Sequence, residues 1–269
     1  MNSEAELPKQ ERSVILVLGA GRSGTSSIAK ATECFGSDLG SGLLRANPDN
    51  PKGFFEKKAI LYFNKLLLFA MGRRWYSTSP VTEFQQRLVK AFFGWPARLI
   101  LLFSFPKQSL YTLKEPRITT LFWFWEPVLS RHFSKIFVLG AFRNPVLVAS
   151  SQSRSHPNLD VDWIELWTMA TSLCFRAMKS YPSEAVFFED FLADPRPTLT
   201  RISKSFNLPL NHRKVSEYVD SFLDENLVHG VRDVYLSEAD NRAATSIEFS
   251  NAVQLMNNER LRTLNQEEQ

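Results

Sequence analysis

Residues Ser13 to Phe35 read SVILVLGAGRSGTSSIAKATECF, and this stretch constrains the fold more than any other. Val14 to Leu18 is an unbroken apolar run, rich in β-branched residues, that ends at a glycine. A strand buried on both faces of a parallel sheet reads this way. Gly19, Gly21 and Gly24 follow, supplying a backbone free to turn tightly and come close to a ligand. Ile28, Ala31, Thr32 and Phe35 then recur at helical spacing, and Gly36 is a fitting C-terminal cap. Strand, glycine loop and helix start gather several backbone N–H groups at the positive end of a helix dipole. A phosphate is the natural occupant of such a point.

Taken alone, the loop fits three patterns. Gly19-x-Gly21-x-x-Gly24 matches a dinucleotide fingerprint. That fold needs a second strand ending in an acidic residue, whereas the corresponding stretch, GSDLGSGLLRANPDNPKG, is loop-like. Gly19 and Gly24 are also spaced as in a nucleoside triphosphatase loop, but Thr25 stands where the phosphate-binding lysine belongs. The third pattern takes Arg22-Ser23-Gly24-Thr25 as its core, with the cation ahead of the last glycine.

A chain of 269 residues suits one large α/β domain, and residues 1–269 read as such, with flexible ends expected over 1–12 and 265–269. A net charge of +4 suits an anionic small ligand and is too small to argue for nucleic acid. Cys34 and Cys174 both sit within amphipathic patterns and read as small core residues. The polar, acidic start MNSEAELPKQERS is neither a signal peptide nor an anchor. Ala91 to Phe105, the most apolar later stretch, is broken by Gly94, Pro96 and Arg98, so no membrane span is expected. These features predict a soluble, cytoplasmic protein.

Further along, a Gly/Asn/Pro-rich loop ends in Asn50-Pro51-Lys52-Gly53-Phe54-Phe55-Glu56, and a mostly buried helix is predicted from about Lys57 to Met71. Phe84, Leu88, Phe92 and Phe93 suggest a short helix, and residues 98–105 fit helix or strand equally. The 73–108 segment is a candidate cap over an acceptor site. Ser109 to Leu113 is a predicted strand running into Lys114-Glu115-Pro116-Arg117, and the run Leu121 to Trp125 reads as helical core. Ile136 to Phe142 is a second buried strand delivering Arg143-Asn144-Pro145, with Pro145 suited to open a helix. Asp162 caps another helix, and Ala185 to Phe188 forms a short strand before Glu189 and Asp190. Alternating buried strands and helices make the fold class α/β, a central parallel sheet flanked by helices. Ligands in such folds sit beyond the carboxyl ends of the strands, where Gly19 to Thr25, Lys114 and Arg143 all fall.

At this point the residues carry a family. Gly21-Arg22-Ser23-Gly24-Thr25 is similar to the 5′-phosphosulfate loop of the sulfotransferases in its arginine form. Asn50 to Glu56 resembles that family's Asn-Pro-Lys-Gly-Tyr-Phe-Glu element, and Lys114 to Arg117 its Lys-Asp-Pro-Arg element. Arg143-Asn144-Pro145 with Ser151 looks like the 3′-phosphate motif. Phe188 to Pro195 resembles Tyr-Glu-Asp-Leu-Leu-Ala-Asp-Pro, with Phe188 replacing tyrosine. The chain thus resembles soluble bacterial sulfotransferases and shares features with tyrosylprotein sulfotransferases. It departs from the cytosolic members at Ser26 and Ser27, where they place an adenine-stacking tryptophan. It also lacks their C-terminal Arg-Lys-Gly loop, for which His229 and Arg232 are the available substitutes, and their histidine base.

The resemblance implies a P-loop-like three-layer fold, a 3′-phosphoadenosine-5′-phosphosulfate (PAPS) donor and no metal. It places Gly21, Arg22, Ser23, Gly24, Thr25 and Ser26 at the 5′ end of that donor, and Arg143 and Ser151 at the 3′-phosphate. The acceptor partner is left open among sugar, lipid, phenol or peptide hydroxyls and amines. Negative charge grows on the bridging oxygen as the S–O bond breaks, and Arg22 and Lys114 are the candidate donors to it. Glu56 is the candidate base: it opens an apolar helix, and Phe54 and Phe55 would desolvate its carboxylate. Glu115 is second to it, and His132, His156, His212 and His229 are poorer choices by context. Two rivals stand. A P-loop kinase would need a magnesium-binding aspartate where Arg143 ends its strand. A non-catalytic nucleotide-binding protein would keep the donor loops alone.

Overall fold

The computed structural model describes residues 12–47, 50–105, 109–223 and 247–267. Four strands, β1 (Ser13–Gly19), β2 (Leu110–Lys114), β3 (Lys135–Phe142) and β4 (Ser183–Phe187), form one parallel sheet in the order β2-β1-β3-β4. The β1 run is buried along nearly its whole length because both of its sheet faces are covered. Val14, Leu16 and Leu18 point into one core; Ile15 and Val17 point into the other. The alternation follows directly from the two-residue repeat of a strand.

The first core is roofed by α2 (Lys58–Ala70), α3 (Glu83–Ser104), α5 (Phe122–His132), α7 (Trp163–Met178) and α11 (Ile247–Glu267). Phe124, Trp125 and Trp167 are fully buried there, so the aromatic run after α4 (Pro116–Thr120) is core. The second core lies under α1 (Thr25–Ala31), α9 (Pro195–Phe206) and α10 (His212–Ser221). This is the expected sheet with helices on both faces. After β3 and β4 come α6 (Pro145–Ser155), which adds Val148 to the first core, and α8 (Phe188–Ala193), which adds Phe191 to the second. Both cysteines are buried, and desolvation raises the Cys34 thiol to about 11 and that of Cys174 to about 12.

Local signals explain most boundaries. Asn144 accepts from Val146 and Leu147 N–H with Pro145 at the first turn of α6, and Asp162 caps α7 through Ile164 and Glu165 N–H. The first helix ends at Ala31, continues as a 3-10 turn over Thr32–Phe35 and stops at Gly36, whose φ of 78° needs a glycine. Residues 83–104 form one helix where a short helix and an ambiguous stretch were expected. Thr82 and Gln85 make a capping box at its start, and Val89, Ala97 and Leu101 anchor it to the core. Pro96 is half-buried, and the carbonyl that it leaves without an intrahelical donor belongs to Phe92, an exposed residue. At the other end, α11 extends to Glu267, inside the stretch expected to be flexible, and Glu267 accepts from Arg201 Nε at 3.2 Å. His132 is half-buried. His229 and Arg232 lie outside the described residues.

Candidate functional site

The carboxyl ends of β1, β2 and β3 open into one cavity of about 610 Å³, lined by the β1–α1 loop, Glu56, Lys114, Arg143 and one side of α6 and α7. Because β1 has β2 on one side and β3 on the other, residues more than a hundred positions apart meet at its end.

The loop itself is built to leave room. Gly24 has φ of 77°, and a Cβ there would sit 2.0 Å from the Phe188 ring. Arg22 is also left-handed, at φ 70°. This strain turns its side chain across the sheet, where Nε donates to Ser151 Oγ at 2.9 Å. The two elements expected from the sequence to bind anions are therefore in direct contact. Gln152 Nε2 reaches Gly21 O at 3.4 Å, and Arg143 Nη1 donates to Arg22 O at 3.0 Å. Thr25 is buried at the first position of α1, and Ser23 Oγ is buried with no hydrogen-bond partner.

Arg143 is a buried cation that is only partly satisfied. Its Nε and Nη2 have no hydrogen-bond partner, and Glu189 Oε1 stands 3.8 Å from Nε, beyond hydrogen-bonding reach. The guanidinium lies 5.2 Å from the Phe188 ring centre. Burial pushes its pKa below the ordinary arginine value; Glu189 opposes the shift, and Arg22 and Arg154 add to it. A buried donor set of this kind is costly unless an anion completes it.

On the other side of the loop, Lys114 Nζ donates to Glu56 Oε1 at 2.6 Å, to Phe54 O at 3.0 Å and to Ser26 Oγ at 3.2 Å. Both members of the ion pair are buried and both line the cavity. The turn that presents Glu56 is held by Asn50, whose Nδ2 donates to Gly53 O at 2.6 Å and to Ser26 Oγ at 3.3 Å. Phe55 is forced to φ 56°. The sequence set phenylalanines beside Glu56; the fold sets a cation against it as well. Lys57, next in line, turns away to stack on Phe105 at 4.5 Å.

Glu115, second to Glu56 as candidate base, sits differently. It is fully buried, accepts from Asn64 and Arg117, and does not line the cavity. Arg117 pairs with it, while Glu126 takes a hydrogen bond from Tyr181 OH at 3.0 Å. His156 is the opposite case. It lines the cavity, its ring 5.0 Å from Trp75 and 5.8 Å from Trp163, with Trp75 stacked on Trp163 at 5.9 Å. This aromatic wall joins three separate segments, and no local sequence pattern marks it. Trp75 belongs to the 73–108 stretch expected to cap the site. Phe188, Leu192 and Phe222 form a second apolar wall near the loop.

Gly21, Arg22, Gly24, Thr25, Ser26, Glu56, Lys114 and Arg143 thus line one opening, while Ser23 and Ser151 are buried behind it, Ser151 in contact with Arg22. Among solved structures, the sulfotransferase domain of the Synechococcus PCC 7002 olefin synthase is similar at a TM-score of 0.50 and 15% identity, over 92% of this chain and 95% of that one. The sulfotransferase domain from the curacin biosynthetic pathway gives 0.48 at 14% identity, over 93% and 99%. Sulfotransferase STF1 from Mycobacterium tuberculosis H37Rv gives 0.45 at 16% identity, over 88% and 77%. No family model and no curated protein matches the sequence. The chain has the sulfotransferase fold.

Proposed function

We propose that the protein is a sulfotransferase that moves a sulfuryl group from PAPS to a hydroxyl or amine acceptor. One observation carries the reading: a buried arginine with two unpaired nitrogens, Arg143, opens into the same cavity as a glycine loop at a helix N-terminus. The Arg22–Ser151 hydrogen bond ties the two together. A ligand with anionic groups at both ends of a ribose satisfies both sites at once.

The residues present fit such a donor. Gly21 to Ser26 offer backbone N–H groups and the unpaired Ser23 hydroxyl to its 5′ end, and Arg143 and Ser151 hold its 3′-phosphate. Phe188 and Phe222, which line the cavity, are the candidates to contact the base in place of the absent tryptophan. When bound, the donor supplies an activated sulfuryl group. In this reading Lys114 and Arg22 donate to the oxygen on which negative charge develops, Lys114 by giving up one of its three present acceptors. Glu56, held by Lys114 through one carboxylate oxygen, is the candidate to take the acceptor proton through the other. The wall of Trp75, His156 and Trp163 faces the acceptor, and the 73–108 segment contributes to its cover.

The test is calorimetry with adenosine 3′,5′-bisphosphate, AMP and ATP, followed by release of the bisphosphate from PAPS across an acceptor panel. Preference for the bisphosphate supports the reading. Equal affinity for AMP would remove Arg143 and Ser151 from the 3′-phosphate role. Magnesium-dependent binding of ATP in preference to both would return the site to the kinase reading.

A further inference from the structure

The outer face of α3 carries an apolar stripe that the cavity does not use. Phe84, Leu88, Phe92, Trp95, Leu102 and Phe103 recur at helical spacing, with half-buried Leu99 between them. Phe84 is 70% exposed, Phe92 73%, Trp95 66% and Phe103 79%. The helix has 22 residues, so the stripe runs for about 33 Å. The neighbouring α2, packed on α3 through Phe63 and Phe93, adds exposed Tyr62, Leu66 and Phe69. Single exposed apolar side chains need no explanation, but a continuous row of large ones marks a surface that is normally covered.

The charges beside the stripe say what covers it. Lys58, Lys65 and Arg74 flank α2, with Arg73 half-buried beside them, and exposed Arg87, Lys90 and Arg98 flank the stripe on α3. Between residues 58 and 105 the only acidic residue is Glu83, which lies 3.4 Å from Arg87. That segment carries a larger positive charge than the +4 of the whole chain, so the remainder is net negative. The basic excess of this protein is concentrated around its exposed aromatic row.

We propose that the α2–α3 face docks on an anionic lipid bilayer surface. An amphipathic helix with aromatic and leucine residues on one face and Lys/Arg beside them lies flat in the headgroup region. Its basic residues are drawn by the negative surface potential while its apolar row enters the acyl boundary. No described helix is long and apolar enough to cross a membrane, and this contact needs none. Tyr62 and Lys65 belong both to this face and to the cavity lining, so docking brings the mouth of the cavity to the lipid surface. The proposal stands on the surface alone and does not depend on the transferase reading.

The experiment is co-sedimentation of the full chain with phosphatidylcholine vesicles, with and without phosphatidylglycerol, at low and high salt. Binding should be on the order of tenfold or more stronger with the anionic lipid and should weaken at high salt. Phe92→Ser/Trp95→Ser and Arg87→Glu/Arg98→Glu should each abolish it. All four side chains are exposed, so the fold should survive, as circular dichroism will check. Arg213→Glu, on α10 under the opposite sheet face, should bind as the parent does. Three results would overturn the proposal: no binding to anionic vesicles, binding that persists in Phe92→Ser/Trp95→Ser, or a concentration-dependent dimer abolished by that double variant in place of vesicle binding.

Discussion

Two buried charged side chains, Arg143 and Glu56, line the cavity in contrasting states. Arg143 has three guanidinium nitrogens in a buried place, and one of them, Nη1, is satisfied by the Arg22 carbonyl. The other two have no hydrogen-bond partner, with Glu189 Oε1 3.8 Å from Nε. Arg143→Ala should therefore cost roughly 2–4 kcal/mol of affinity for adenosine 3′,5′-bisphosphate and little for AMP, as titration calorimetry will read. Arg143→Lys should recover only part, because an ammonium cannot reproduce the planar fork. Glu56 differs in being already paired. Its bond to Lys114 means that Glu56→Gln still offers Lys114 an acceptor, so the pocket should hold its shape. That variant should keep donor affinity and lose roughly 10²–10⁴ in turnover if Glu56 is the base. Near-normal turnover would pass the role to His156, which lines the same cavity; Glu115, sealed beneath Arg117 and Asn64, is out of reach.

Among the elements, the β1–α1 loop shows how sequence pattern and tertiary packing divide the work. Gly24 fits its place for two reasons, a left-handed φ and a Phe188 ring pressed against it from α8. Gly24→Ala should destabilise the fold by about 1–3 kcal/mol in urea unfolding. Only the steric share of that loss should be relieved by Phe188→Ala, so the pair should depart from additivity. A glycine-to-alanine cost unchanged by the second substitution would assign the whole effect to the backbone. The positive φ at Gly19 and Gly24 was legible from the glycines whereas that at Arg22 was not, and β1 and β3 were legible because double-sided burial leaves unbroken apolar runs. Asn144-Pro145 and Asp162 announced their helices through capping chemistry, which is local. Helix α3 was not legible as one element, because Pro96 and Gly94 argue against it locally and its anchoring by Val89, Ala97 and Leu101 is tertiary. The wall of Trp75, His156 and Trp163 was invisible for a related reason: each residue has an ordinary local context, and only the fold brings them within ring-contact distance.

At the scale of the whole molecule, Glu115 is the polar node at which the α2–α5 layer is pinned to the sheet. It follows β2, accepts from Asn64 of α2 and from Arg117, while Trp125 of α5 donates to Asn64 Oδ1 at 2.7 Å. Burial raises its pKa above the ordinary value of 4.5; Arg117 opposes the shift, Glu56 adds to it, and Asn64 lowers it. A carboxyl whose pKa is raised on folding binds its proton more tightly in the folded chain. Its favourable contribution is therefore complete below about pH 4.5, where folded and unfolded chains are both protonated. As pH rises, the unfolded chain releases the proton first, and stability falls until the pH passes the raised folded value. Glu115→Gln keeps an acceptor for Asn64 and Arg117 but cannot titrate. The stability of the parent relative to Glu115→Gln should thus decline as pH rises from 4.5, by at most about 1.4 kcal/mol per pH unit. Urea unfolding of both proteins across that range is the measurement. A difference that stays flat with pH would mean that Arg117 and Asn64 fully offset the cost of burying the charge; a difference that grows in the parent's favour would mean that they exceed it.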